Sequence, residues 1–415
     1  MISTNSKNLL KKLILKYKKE EYSDNSYPLL ENAFNTEDLL KGIEVILSQR
    51  ITMSDITKEF EHEFSKYIGC KYALMVNSGS SANLLVAFSL INPKKNNHLK
   101  RNDYFLIPAI CWSTSLWPFI QAGLKPIFAD VNMNNYCLDE KNLNDKILNK
   151  IKLIVTIHVL GNCSNIALIS RLSKNNNIFL VEDTCESLGS KYQSKYLGTF
   201  GDFGTYSFYY SHQITSGEGG MIVCDKKEDY ELLHTLRAHG WDRGLGNKSN
   251  NTFNFINLGF NVRPLDLTAA IGLNQFKRLN KMIAVRTENR ELIINKVKNH
   301  KKYNNQFEFF YPSKNLKPSW FGMPLLINKN YLNSKKKFLQ YLNFHKIETR
   351  PIISGNFLNQ PSAKLYNLCP KSIIKSFPNS QEIEDRGFFI GLPTHPMSKE
   401  KINYLVEKLV SFNGF

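Results

Sequence analysis

From residue 71 to residue 224 the chain alternates short, almost uninterrupted apolar runs with amphipathic stretches. Lys71–Val76 (KYALMV) reads as a strand and Ser80–Ile91 as a helix. Tyr104–Ala109 and Ser113–Ala122 repeat the pair, as do Lys125–Val131 and a helical Asp139–Leu148, then Leu153–Leu160 and Ile166–Asn175. Ile178–Asp183 (IFLVED), Gly204–Tyr209 and Gly220–Cys224 read as three further strands. Strands with no polar face are buried on both sides, so this pattern predicts an α/β domain on a mostly parallel sheet. A helical pattern then runs from Leu265 to about Asn299, and shorter elements follow, for example Phe321–Ile327 and Lys399–Leu409. The expected organisation is a basic, helical or disordered arm over 1–24, a large α/β domain over 25–280 and a smaller α+β domain over 281–415. The segment before residue 70 is expected to be mainly helical and to pack across both domains.

Charge narrows the function. Lys and Arg total 54 against 36 Asp and Glu, a net +18, and the first 20 residues hold six Lys and one Glu. No RNA-recognition, helix-turn-helix or zinc-finger signature accompanies that charge, which argues against nucleic acid. A basic surface also suits anionic small molecules such as nucleotide sugars. The apolar runs of Met1–Glu20 are broken by lysines and do not form a secretory signal. The uncharged stretches Tyr104–Leu124 and Leu153–Ser170 carry too many Pro, Ser, Gly and Asn to span a membrane. Seven cysteines, an odd count with no CxxC pair, argue against both a disulfide framework and a zinc site. A cytoplasmic protein is expected.

Four segments carry chemistry. Asn77-Ser78-Gly79-Ser80-Ser81-Ala82-Asn83 follows a strand and opens a helix. Gly79 permits close approach, and free N–H groups with the Ser80 hydroxyl would seat a phosphate. An ordinary serine-capped helix would look the same. Asp183, in Glu182-Asp183-Thr184-Cys185-Glu186, ends an apolar strand, and ligands of open α/β sheets bind beyond such ends. Thr205–Gly220 runs a serine-bearing strand into a polar loop and a glycine-rich turn that lacks a dinucleotide fingerprint. Trp112, just past a strand end, offers an indole on which a planar ring could stack, or a core residue.

In order and context these segments resemble the pyridoxal-phosphate-dependent sugar aminotransferases of the DegT/DnrJ/StrS type, a fold-type I family. The resemblance covers residues 25–415 and is densest between 70 and 275. It implies a pyridoxal or pyridoxamine 5'-phosphate cofactor with its phosphate on Gly79, Ser80 and Ser207. It implies Trp112 stacked on the pyridine ring, Asp183 paired with the ring nitrogen and Glu186 with the ring hydroxyl. Asn261, in Gly259-Phe260-Asn261-Val262-Arg263-Pro264, takes the place of a residue donated to the phosphate across a homodimer interface with shared active sites.

One departure redirects the function. Family aminotransferases carry a lysine, covalently bound to the cofactor, five residues after the strand serine; here that position is His212, and no lysine lies between Tyr196 and Asp225. An imidazole cannot form a stable Schiff base but can move a proton, with an ordinary pKa of about 6.5. This swap resembles the nucleotide-sugar 3-dehydratase branch. One subtype, acting on CDP-4-keto-6-deoxyglucose, needs an iron–sulfur cluster on four cysteines. After His212 only Cys224 and Cys369 remain, so no cluster is expected, nor any metal.

Arg237-Ala238-His239-Gly240-Trp241, Ser319-Trp320-Phe321-Gly322 and Arg350–Phe357 resemble instead the cluster-free subtype that acts on GDP-4-keto-6-deoxymannose. Gln213 departs from it, where a second histidine is usual. The resemblance implies dehydration at C3 with ammonia release, His212 as the base, and L-glutamate as the amino donor that restores the pyridoxamine form. His239, Arg243 and Arg350 are candidate contacts to the substrate. The readings left open are an aminotransferase variant, the cluster-dependent dehydrase and a non-catalytic cofactor-binding regulator.

Overall fold

The four strand–helix pairs and three further strands of the sequence pattern converge on a single seven-stranded sheet. The computed structural model describes residues 3–17, 24–246 and 252–415. Helix α1 (Thr4–Tyr17) lies against α2 (Thr36–Leu47) through Lys7–Glu44 and Lys11–Glu37 ion pairs and buries no residue of its own. Residues 1–2 and 18–23 of the expected arm lie outside the described residues. Asn35 starts α2 with a capping box, accepting from the Asp38 amide while the Asp38 carboxylate accepts from the Asn35 amide. Helix α3 (Asp55–Ile68) is started by Asp266, whose carboxylate accepts from the Ser54 and Thr57 amides.

The sheet comprises β1 (Tyr72–Val76), β2 (Tyr104–Pro108), β3 (Lys125–Ala129), β4 (Ile151–Ile157), β5 (Phe179–Asp183), β6 (Phe203–Ser207) and β7 (Gly220–Cys224), in the order β1-β7-β6-β5-β4-β2-β3. Strands β3, β2, β4, β5 and β6 pair in parallel, and β7 runs antiparallel to both β6 and β1. The mostly parallel expectation holds, with β7 the exception. Helices α4 (Gly79–Leu90), α5 (Ser113–Gln121), α6 (Ile166–Asn175) and α7 (Lys227–Arg237) follow strands and cover the sheet. Leu153, Ile154 and Val155 on β4 are fully buried, pointing to alternate faces. Each such side chain contributes about 1.5–3 kcal/mol of burial free energy, which is why the strand carries no polar face.

Three expectations need correction. The helical pattern from Leu265 is two helices, α8 (Asp266–Phe276) and α9 (Leu279–Lys298). The break lets Arg278 make two 2.7 Å bonds to the buried Asp38 carboxylate, which also accepts from Asn274 at 2.6 Å. Asp139–Leu148 forms only a 3-10 turn over Glu140–Asn142 and a single turn over Asp145–Leu148. Asp139 and Asn144 each cap the turn that follows, so a local side-chain bond interrupts what the pattern would continue. The strand expected through Tyr209 stops at Ser207, because the Tyr209 amide turns back to the Ser207 hydroxyl at 3.3 Å.

Beyond α9, strands β8 (Phe307–Phe309), β9 (Gly322–Ile327), β10 (Thr349–Arg350) and β11 (Gly387–Gly391) form an antiparallel sheet in the order β8-β9-β11-β10. Helices α10 (Lys335–Phe344) and α11 (Lys399–Val410) pack on it around the buried Phe338, Leu342, Leu405 and Leu409. The segment before residue 70 does reach both parts. Asp38 holds α8 and α9, and the Tyr27 hydroxyl donates to the Gly391 carbonyl at 2.9 Å. Among the described residues no helix is long and apolar enough to cross a membrane.

Candidate active site

The carboxyl ends of β1, β5 and β6 meet at one cleft. Ser78 caps α4 by accepting from the Ser81 amide at 3.1 Å, and its carbonyl accepts from Ala82. The Gly79 and Ser80 amides belong to the first turn, which has no acceptors within the helix. Gly79 faces Ser207: a Cβ on Gly79 would lie 2.6 Å from the Ser207 Cβ and 3.1 Å from its Oγ. Only a glycine lets the helix start approach the strand serine, so an anion placed there meets amides and a hydroxyl together. The Ser80 hydroxyl is 2.9 Å from that of Thr114, which ties this turn to the start of α5. Trp112 precedes α5 with its indole 55% exposed, so it is a free platform and not a core residue.

Asp183 ends β5 and is 4% exposed. Its Oδ2 accepts from the Ser115 hydroxyl at 2.6 Å and from the Asn83 amide at 2.9 Å, and its Oδ1 accepts from the Cys185 amide at 3.2 Å. Asn83 is oriented in turn by the Thr205 hydroxyl, which donates to its carbonyl at 2.8 Å. Sequence reasoning missed Asn83, Ser115 and Thr205. The available signal was spacing: Asn83 lies one helical turn after Gly79 and so shares its face.

Glu186 accepts from the Leu160 amide at 2.9 Å. Burial, aided by the Asp183 charge and opposed by that bond, pushes its carboxyl up to about 8, so it carries a proton at neutral pH. A protonated carboxyl can donate to a ring oxygen. Beneath it, His158 and Glu182 form a fully buried 2.9 Å pair, and Glu182 also accepts from the Gly198, Phe200 and Gly201 amides. This pair anchors the loop before β6 from behind the cleft.

His212 stands in the turn after β6, its amide bonded to the Tyr209 carbonyl at 3.0 Å. Its ring meets Phe321 edge-on at 5.0 Å and Tyr209 at 6.1 Å. Nδ1 is buried with no partner. Burial, with the Arg286 guanidinium adding to it, lowers the imidazole to about 3, so it is neutral and able to accept a proton at physiological pH. Gln213 turns away, donating to the Glu186 carbonyl at 2.5 Å and the Ser319 carbonyl at 3.1 Å. It braces the turn and leaves the departure at this position without a chemical role in the cleft.

The remaining candidates lie elsewhere. Asn261 and Arg243 line a cavity of about 640 Å³ with Arg237, Trp241 and Arg263, and none of Gly79, Asp183, Ser207 and His212 lines it. Arg263 donates to the Asn261 side-chain oxygen Oδ1 at 3.1 Å and stands 3.5 Å from the His239 ring. His239 therefore belongs with Asn261, and its backbone is left-handed, with φ 63°. Arg350 ends β10 and is exposed, its guanidinium bonded to the Thr349 carbonyl, but the loop after it docks beside Trp112. There the Ser354 hydroxyl donates to the Cys111 carbonyl at 2.7 Å, and Ile110 bridges to Asn356.

The cleft thus offers an anion seat, an exposed indole, a buried carboxylate and a neutral imidazole whose Nδ1 has no partner. That set fits a phosphorylated pyridine: the Gly79–Ser207 cradle, which a Cβ would fill, could take the phosphate, and Asp183 could take a ring N–H. Among the described residues no cluster of His, Cys, Asp and Glu could hold a metal ion, and all seven cysteines are free.

The chain belongs to the DegT/DnrJ/EryC1/StrS aminotransferase family, whose model matches residues 33–410. Its sheet order and cleft are those of the fold-type I pyridoxal-phosphate enzymes. Within that family it is similar to the GDP-4-keto-6-deoxy-D-mannose 3-dehydratase of Escherichia coli O55:H7, with 36% identity over 92% of this chain and 99% of the relative. The solved structure of an E. coli GDP-4-keto-6-deoxy-D-mannose-3-dehydratase with bound hydrated PLP matches with TM-score 0.85 and 35% identity over 92% of this chain and 99% of that one. A GDP-4-keto-6-deoxymannose-3-dehydratase structure with a trapped PLP-glutamate geminal diamine matches with TM-score 0.83 and 34% identity, over 92% of this chain and all of that one.

Proposed function

We propose that this protein is a pyridoxamine-phosphate-dependent 3-dehydratase of a nucleotide-linked 4-keto-6-deoxy hexose, with GDP-4-keto-6-deoxy-D-mannose as substrate and glutamate as amino donor. The observation that carries it is His212, a neutral imidazole in the turn where family aminotransferases keep their lysine. The relatives named above act on this substrate, and one was solved with PLP and glutamate joined.

When bound, the cofactor supplies a primary amine for the C4 ketone and a protonated ring as electron sink. Gly79, Ser80 and Ser207 hold its phosphate, and Trp112 covers its ring. Asp183 holds the proton at the ring nitrogen through Oδ1, the oxygen that Ser115 and Asn83 do not engage. Glu186 donates its proton toward the ring oxygen. His212 takes the proton at carbon C4′, and the same proton is then available to the departing C3 hydroxyl. With no amine on the protein at this position, no covalent tether competes for the cofactor.

The homodimer belongs to the same proposal. Asn261 opens into a cavity apart from Ser207, which supports its donation to the phosphate of a second copy. His239 and Arg243 then face that copy's substrate, and Arg350, beside the Trp112 loop, faces the substrate of its own. We propose further a cytoplasmic location, an arm over 1–24, a large domain over 25–280 and a small domain over 281–415. The continuous seven-stranded sheet before residue 225 and the separate four-stranded sheet after residue 306 support that division.

The test is incubation with pyridoxamine phosphate, glutamate and a panel of GDP-, CDP- and dTDP-linked 4-keto-6-deoxy sugars. Ammonia, 2-oxoglutarate and the 3-deoxy product are measured. Turnover with the GDP sugar is expected. Cofactor binding without ammonia from any sugar would leave a non-catalytic binder, and an amino sugar as product would make the protein an aminotransferase.

A further inference from the structure

Helix α9 buries two arginines one turn apart, and they are not equivalent. Arg290 bonds the Glu291 carboxylate at 2.5 Å and lies 4.1 Å over the Trp320 ring. Arg286 is 2% exposed, and among the described residues no carboxylate forms an ion pair with it. A buried arginine is ordinarily paired with an acid, because carbonyl dipoles alone compensate its lost hydration poorly. Arg286 is held by three carbonyls: Nε bonds Leu392 at 3.0 Å, Nη1 bonds Trp320 at 3.1 Å and Nη2 bonds His212 at 3.3 Å. Those carbonyls come from the turn after β6, the segment before β9 and the residue after β11. The Trp320 bond also fixes Phe321, whose ring packs edge-on against His212.

We propose that Arg286 is a positioning residue for the dehydration: its unpaired guanidinium clamps His212 against Phe321 and keeps a positive charge behind the imidazole. A purely mechanical tie would not need a charge at this depth. Burial brings the guanidinium down to about 10, which leaves it cationic at neutral pH. The other groups around the imidazole do not offset it. Phe321 is uncharged, Tyr209 on the same turn is a phenol, and Glu186 at the end of β5 is protonated at neutral pH. Asp183 is held by Ser115, Asn83 and Cys185, and among the described residues the charge that acts appreciably on the ring is that of Arg286. Burial already disfavours the charged ring, and a cation behind it adds to that, so His212 remains a base at pH values where an ordinary histidine has charged. The role rests on His212 being the base proposed above.

The experiment compares the full-length holoenzyme with Arg286→Met and Arg286→Lys. The His212 imidazole is titrated by NMR in histidine-labelled protein, and kcat is followed against pH. In the wild type the His212 resonance stays flat from pH 8 to pH 5. In Arg286→Met burial still holds the imidazole below its ordinary value, but without the cation its midpoint rises above the wild-type one, and kcat falls at pH 5 relative to pH 8. Arg286→Lys keeps the charge but not the three-way clamp, so its titration stays flat while kcat falls at every pH. The proposal is overturned if the wild-type resonance titrates near 6.5, or if Arg286→Met titrates as the wild type does. Should Arg286→Met fail to fold, Arg286→Lys decides: a shifted titration, or an unchanged kcat, overturns the proposal. If no keto sugar is turned over at all, it is the reading of the reaction that has failed. The His212 titration still reports whether Arg286 sets the charge behind it.

Discussion

Ser115 donates a 2.6 Å hydrogen bond to Oδ2 of Asp183, across 68 residues of sequence. Asn83 bonds the same oxygen, so the carboxylate is held against rotation, while Oδ1 accepts from the Cys185 amide at 3.2 Å. A hydrogen bond to a charged group is worth about 1.5–3 kcal/mol, or roughly tenfold to a hundredfold in an equilibrium constant. Ser115→Ala and Asn83→Ala are each expected to weaken pyridoxamine phosphate binding by about tenfold or more. A fluorescence titration of cofactor-free protein measures this, and unchanged affinity in both variants would show that Asp183 needs no support.

Gly79 is the tightest point of the phosphate cradle. An alanine Cβ there would stand 2.6 Å from the Ser207 Cβ, which real side chains do not tolerate. The helix start and the strand end must move apart, and the seat opens. Gly79→Ala is expected to raise the dissociation constant for the cofactor at least about tenfold, with the far-UV circular dichroism spectrum unchanged. Wild-type affinity in this variant would put the phosphate somewhere else.

His212 separates chemistry from binding. His212→Asn should bind the cofactor within about threefold of wild type and lose about 10²–10⁴ in dehydration, the usual contribution of a positioned base. His212→Lys should gain a borohydride-trappable bond to the cofactor and also lose dehydration. Normal dehydration by either variant contradicts the role given to the imidazole.

Glu186 makes the stability of the cofactor-free protein depend on pH. Its carboxyl rises from about 4.5 unfolded to about 8 folded. The folded state therefore holds a proton that the unfolded chain releases, and this contribution is complete below pH 4.5 and lost as pH climbs through 8. Glu186→Gln should melt about 2 °C above the wild type at pH 8, with the difference disappearing near pH 4.5. Parallel melting curves from pH 4.5 to pH 8 would mean that the carboxyl is ionised in the fold.

Much of this was legible in the chain itself. Apolar runs with no polar face could only be strands covered on both sides, so the α/β sheet followed from local pattern. Asp183, Ser207 and His212 each sit at or just past the end of such a run, where cleft residues of this architecture collect. What the pattern overstated were lengths. Leu265–Asn299 is apolar at helical spacing throughout, yet it breaks at Lys277-Arg278. The buried Asp38 that claims Arg278 lies 240 residues away.

The same distinction divides the site. Residue type and spacing along the chain determined which groups could do chemistry: a carboxylate at a strand end, a glycine at a helix start, an imidazole in place of an amine. Tertiary packing alone decided how each is held. Asn83 stands 100 residues from Asp183, and Arg286 stands 74 from His212. Their side chains look like ordinary helix residues until the fold brings them to the cleft. Periodicity is a property of neighbours in sequence, whereas orientation and charge state are set by whatever the folded chain packs alongside a group.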